Sequence, residues 1–157
     1  MKQRKNVGRI RYLQDLLNKK QISCRELTER YLKSARECNK KLNAYVKLTD
    51  EFAFESAKKV DEKISKKQEL QPLEGIPMSL KDNIFTQGIE TTCCSNMLKG
   101  YVPTYDATVW ALLKAQNAVL VGKTNMDEFA MGCTCKTSCF GAVKNPHDLN
   151  KVPGGSS

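Results

Sequence analysis

The 157-residue chain is 40% apolar, enough to bury one modest core, and carries a formal net charge of +9. All of the basic excess lies in the first half: residues 1–70 hold 19 Lys and Arg against 10 Asp and Glu, whereas residues 71–157 hold seven of each. These basic residues alternate with acids on helix-like segments and lack an aromatic or glycine-rich RNA-binding pattern, so they read as a solvated face, with nucleic-acid contact as the lesser alternative. Met1-Lys2-Gln3-Arg4-Lys5 leads into no apolar h-region, and no apolar run approaches a membrane span. No secretory signal and no membrane partner are therefore expected, and the seven cysteines are expected in a reducing, cytoplasmic compartment.

In chain order, Ile10, Leu13, Leu16 and Leu17 are spaced for a helix over residues 9–19. Ser23 with Glu26 forms a capping-box pattern that opens a second helix, in which Leu27, Tyr31 and Ala35 repeat at four-residue intervals beside Leu32. Leu42-Asn43-Ala44-Tyr45-Val46 reads as a short strand. Phe52, Ala53, Ala57, Val60 and Ile64 predict a third helix over about 50–67, closed by a polar linker near Gln68. From Pro72 the texture changes to short apolar runs broken by Gly and Pro. Ile76–Leu80 and Ala118–Val121 read as buried strands around a helix at about 107–116, which predicts an α/β layer architecture.

Several motifs are ambiguous when taken singly. Gly122-Lys123-Thr124 has the end of a phosphate-binding loop, but the glycine required five positions earlier is Asn117 and the residues between form an apolar strand; a strand-to-loop junction is the better reading. Cys133, Cys135, Cys139 and His147 lack the two well-spaced pairs of a zinc site, so small buried or semi-exposed thiols are expected there and no metal. Lys81 ends an apolar strand; taken alone a lysine there reads as a surface charge, and burial is what would make it a neutral amine able to act as a base. Val152-Pro153-Gly154-Gly155-Ser156-Ser157 reads from composition alone as a flexible tail.

Taken in order, Gly75-Ile76-Pro77-Met78-Ser79-Leu80-Lys81-Asp82-Asn83, the run from Gly122 to Gly132, and Pro153-Gly154-Gly155-Ser156-Ser157 resemble the motifs of the amidase-signature family. Phe140-Gly141, Asn145-Pro146, Asp148-Leu149 and Leu42-Asn43-Ala44 fall where that family has similar residues. Within it, the stretch from Gly88 to Val109 and Glu128-Phe129-Ala130-Met131-Gly132 look most like the A subunits of the aminoacyl-tRNA amidotransferases. The resemblance implies an N-terminal helical region over 1–70, followed over 71–157 by the first part of a mixed-sheet catalytic core, incomplete within these residues. It also implies a Ser, cis-Ser, Lys triad, with Lys81 as base and Ser156 as bridging serine. Ser157, Met131 and Gly132 are implied as supporting or substrate-binding residues. The nucleophilic serine and the oxyanion-hole amides are expected in a Gly-rich segment past Ser157, so these 157 residues are expected to be inactive alone.

The implied activity is hydrolysis of glutamine to glutamate and ammonia, the ammonia serving to convert Glu-tRNA(Gln) to Gln-tRNA(Gln). Implied partners are the B and C subunits of the amidotransferase, with tRNA held mainly by the B subunit. ATP and Mg²⁺ are implied for the assembled complex and no cofactor for this chain. Departures from the family pattern are Cys133 and Cys135 at hydroxyl or small-residue positions, His147 for an aromatic residue, and Asn117 where glycine is common. Two other readings stay open: a stand-alone hydrolase of another small amide, and a non-catalytic interaction module.

Overall fold

A computed structural model describes residues 8–157; Met1–Lys5, the stretch that bears on a secretory signal, lies outside the described residues. Helix α1 (Arg9–Asn18) buries Leu13 and Leu17, and α2 (Cys24–Leu42) buries Cys24, Leu27, Thr28, Leu32 and Ala35, the stripe its periodicity predicts. The capping box is present in full: the Ser23 hydroxyl accepts from the Glu26 N–H, and the Glu26 carboxylate accepts from the Ser23 N–H at 2.9 Å. Asn43 closes α2 in the left-handed region, at φ 54°. Strand β1 (Tyr45–Leu48) therefore begins three residues later than the sequence suggests, because Leu42 belongs to the helix and Asn43 to its cap.

Helix α3 (Asp50–Ser65) packs on α2 through Ala53, Ala57 and Val60, and carries Asp50 and Glu51 in its first turn, where acids complement the helix dipole. Strand β2 (Pro77–Lys81), helix α4 (Thr108–Ala115) and strand β3 (Val119–Thr124) follow. The expected strand at 118–121 thus runs on to Thr124 and takes Gly122 and Lys123 into the sheet. The sheet order is β1-β3-β2, with β1 antiparallel and β2 parallel to the central β3. The architecture is mixed α/β, as expected.

Being covered on both faces, β3 is apolar without alternation. Val119 and Val121 face one cluster with Ile76 and the buried stripes of α1, α2 and α3, whereas Leu120 faces a second with Leu80 and Trp110. Asn117 precedes β3 at φ 51°, which explains an asparagine where glycine is common, and its amide donates to Glu74 at 2.7 Å. Glu74 is fully buried and also receives Lys63 Nζ and the Gln71 N–H.

The basic first half is partly tied down: Arg25 stacks over Phe54, Arg9 over Tyr31, and Arg36 pairs with Asp50. No described helix is long and apolar enough to cross a membrane.

Candidate active site

The parallel strands β2 and β3 end side by side, with Lys81 opposite Thr124. Past Thr124 the chain turns through Asn125 and Met126 to Asp127, whose N–H donates to the Ser156 carbonyl at 2.6 Å. This contact draws the C-terminal residues back across the sheet end. There Lys81 Nζ is hydrogen-bonded to Ser156 Oγ across a sequence separation of 75 residues. The Gly155–Ser156 peptide is cis. A segment that reads as a flexible tail from composition is thus pinned against a strand end.

Asp127 was not singled out by the sequence and proves to be the hub of this corner. Its side chain is fully buried. Oδ2 accepts from the N–H groups of Thr134 and Cys135 at 3.1 and 2.8 Å; Oδ1 accepts from the N–H groups of Lys136 and Thr137 and from the Thr137 hydroxyl at 3.0, 3.3 and 3.0 Å. Burial pushes the carboxyl upward, and these donors outweigh it, so the group titrates below the usual carboxylate value. Two glycines rest against it. A Cβ on Gly132 would lie 2.6 Å from Asp127 Oδ2, and one on Gly155 would lie 2.5 Å from the same oxygen and from Cys133 Cα.

A charged pair adjoins Lys81. Lys123 Nζ donates to Ile84 O at 2.7 Å, Thr91 Oγ1 at 2.9 Å and Thr86 Oγ1 at 3.3 Å, and sits 3.6 Å from Asp82 Oδ1. Burial pulls the Lys123 amine below the ordinary lysine value, against the opposing pull of Asp82. Asp82 Oδ2 in turn accepts from the Thr92 N–H and hydroxyl at 3.0 and 2.6 Å. It is Lys123, not Lys81, that is sealed from solvent. With Lys123 so engaged and Gly122 packed on the β1 backbone, residues 122–124 form no phosphate cradle.

Among the other residues singled out from the sequence, Gly132 adjoins the Asp127 carboxylate, whereas Met131 is 76% exposed and Ser157 is exposed with no side-chain hydrogen bond among the described residues. Cys133 is exposed and passes its backbone beside Gly155; Cys135 is buried with Sγ 3.5 Å from the Ser156 carbonyl. Burial raises the Cys135 thiol above its ordinary value. Among the described residues, no group of three His, Cys, Asp or Glu is placed to hold a metal ion.

Residues 26–157 match the Amidase family, and the chain belongs to it. Over 148 residues it is 49% identical to the A subunit of glutamyl-tRNA(Gln) amidotransferase from Caldanaerobacter subterraneus subsp. tengcongensis, covering 94% of this chain and 30% of that protein. Its fold matches the crystal structure of the corresponding A subunit from Thermotoga maritima with a TM-score of 0.69 at 33% identity, over 85% of this chain and 27% of that one. The native peptide amidase of Stenotrophomonas maltophilia matches with a TM-score of 0.86 at 28% identity, over 97% and 33%. The chain thus spans about 30% of the length of the curated relatives it matches.

Proposed function

We propose that this chain contributes the lysine and the bridging serine of a Ser-Ser-Lys amidase centre in the glutaminase component of an aminoacyl-tRNA amidotransferase. The hydrogen bond between Lys81 Nζ and Ser156 Oγ carries the reading. In it, Lys81 acts as the base that takes the Ser156 proton while Ser156 takes one from a nucleophilic serine outside these residues. That serine attacks the glutamine carboxamide carbon. The C–N bond breaks as the nitrogen takes up the relayed proton, leaving an acyl-serine and ammonia. Water then cleaves the ester to glutamate and restores the serine, the lysine again serving as base. Met131, Gly132 and Ser157 are assigned to the substrate side of this centre.

The 49% identity to an amidotransferase A subunit supports the choice of glutamine as substrate and of the B and C subunits as the partners that receive the ammonia. Activation of Glu-tRNA(Gln) with ATP and Mg²⁺ is assigned to the B subunit, which also takes most of the tRNA contact, and no residue of this chain is given to either. The assembly is placed in the cytoplasm, and residues 1–157 alone are expected to be inactive.

The test is ammonia release from glutamine by the full-length protein with its partner subunits. Lys81→Ala and Ser156→Ala are each expected to lower it by about 10³-fold or more; undiminished release in either variant overturns the assignment. The 0.86 TM-score with a peptide amidase supports a second reading, a stand-alone amidase on another small amide. Activity that is independent of partner subunits and indifferent to glutamine would favour it.

A further inference from the structure

The geometry points to Asp127 as the positioning residue for Ser156, acting through the turn at residues 133–137 and not on substrate. This rests on the assignment of Ser156 above and goes beyond it, because Asp127 touches neither Lys81 nor the Ser156 hydroxyl. Two contacts hold the Ser156 carbonyl and a third confines Gly155 beside it, and each involves the 133–137 turn or Asp127. The Asp127 N–H binds the Ser156 carbonyl at 2.6 Å. Its Oδ2, with the Cys133 backbone, forms the wall against which Gly155 lies, leaving no room for even one added carbon. The Cys135 thiol, 3.5 Å from the same carbonyl, sits on the turn that the carboxylate ties down.

Five donors converge on the two carboxylate oxygens, four of them main-chain N–H groups from four successive residues, Thr134 to Thr137. Such a nest requires an anion that accepts on both oxygens. An asparagine has nearly the same shape but presents an NH₂ to one set of donors, so at least two N–H groups lose their acceptor. The turn then moves, the wall under Gly155 moves with it, and the Ser156 hydroxyl leaves its line with Lys81. A displacement of about 1 Å in a catalytic group costs on the order of 100-fold in rate. The Thr137 hydroxyl adds a second tie: it donates to Asp127 Oδ1 and accepts from the Glu128 N–H at 3.0 Å, locking the turn to the segment that carries Asp127.

The experiment is a double-mutant cycle in the full-length protein with its partner subunits, read as ammonia release from glutamine. Asp127→Asn is expected to lower kcat by about 100-fold while KM stays within about threefold. In a Ser156→Ala background the same substitution is expected to cost less than about twofold, because the residue it positions has lost its hydroxyl. General damage to the fold would instead lower both backgrounds by the same factor, and that result overturns the proposal, as does an Asp127→Asn enzyme within about threefold of the parent. If Asp127→Asn does not fold, Thr137→Val at an exposed position takes its place, with an expected loss of about fivefold in kcat in the parent and none in Ser156→Ala; equal loss in both overturns the proposal. Full activity in Ser156→Ala alone would overturn the underlying assignment, and the role of Asp127 with it, in an arm that contains no change at Asp127.

Discussion

Lys123 and Asp82 face each other between adjacent parallel strand ends, Nζ to Oδ1 at 3.6 Å, with side chains 0% and 1% exposed. Besides Asp82, the lysine has three oxygen partners, while Asp82 Oδ1 has the ion pair but no hydrogen bond among the described residues. Lys81 is next to Asp82 in sequence and opposite Thr124, the neighbour of Lys123, in register.

Breaking this pair on one side is therefore costly. Lys123→Met leaves Asp82 charged and buried and strips Ile84 O, Thr86 and Thr91 of a donor. A loss of about 3–5 kcal/mol is expected in urea denaturation. Replacing both members, Lys123→Met with Asp82→Leu, is expected to cost less than Lys123→Met alone, since no buried charge is left without its counter-ion. A double variant less stable than that single one would show that Thr92 holding Asp82 matters more than the charge balance.

Trp110 is fully buried between Leu80 and Leu120, with the Phe52 ring 5.8 Å away, and its indole N–H has no partner among the described residues. Trp110→Ala is expected to cost about 3–5 kcal/mol through the cavity it leaves. Trp110→Phe keeps most of the volume and removes an orphaned donor, so a cost well under half of that is expected by the same denaturation measurement.

Gly122 is held by close approach, not by backbone angle. A Cβ there would meet Lys47 O of β1 and lie 3.1 Å from Tyr45 Cδ1 and 3.2 Å from Leu48 Cα, where the β1–β3 register already shifts between Tyr45 and Lys47. Gly122→Ala is expected to cost about 1–3 kcal/mol and to speed hydrogen exchange at the Thr49 N–H, which bonds to Val121 O. Unchanged exchange there would mean that β1 moves aside without losing its pairing.

Acid should destabilise the protein through two buried carboxylates. For Glu74 and Asp127, burial acts to raise the pKa, and the Gln71 N–H, Lys63 and Asn117 in one case, and the Cys135 and Thr137 donors in the other, hold it below the ordinary 4.5 and 3.8. Their stabilisation is complete above those ordinary values and is lost as pH falls through the lower values of the folded state. Melting temperatures measured from pH 6 to pH 2 should fall less steeply in Glu74→Gln than in the parent; parallel curves would remove Glu74 from the account.

The sequence alone determined the three long helices, the capping box and the family. Periodicity over Arg9–Asn18, Cys24–Leu42 and Asp50–Ser65 reflects which helix face must be buried, and Ser23 and Glu26 satisfy helix-end donors within one turn, so both are legible without knowledge of the fold. Three ordered motifs were enough to indicate the family to which the chain belongs. Tertiary structure decided what depended on partners distant in sequence. Leu42 looked like strand because apolar residues serve helix and strand alike, and Asn43 became a cap because its amide reaches Phe140 O. Lys123 looked like the polar start of a loop; it lies inside the sheet because Asp82, Thr86 and Thr91 arrive there from another part of the chain. Asp127 is one acid among 17. The folded turn at 134–137, which aims its donors at that carboxylate, distinguishes Asp127 from most of the others, and the Asp127 N–H meets the Ser156 carbonyl where Ser156 reaches Lys81.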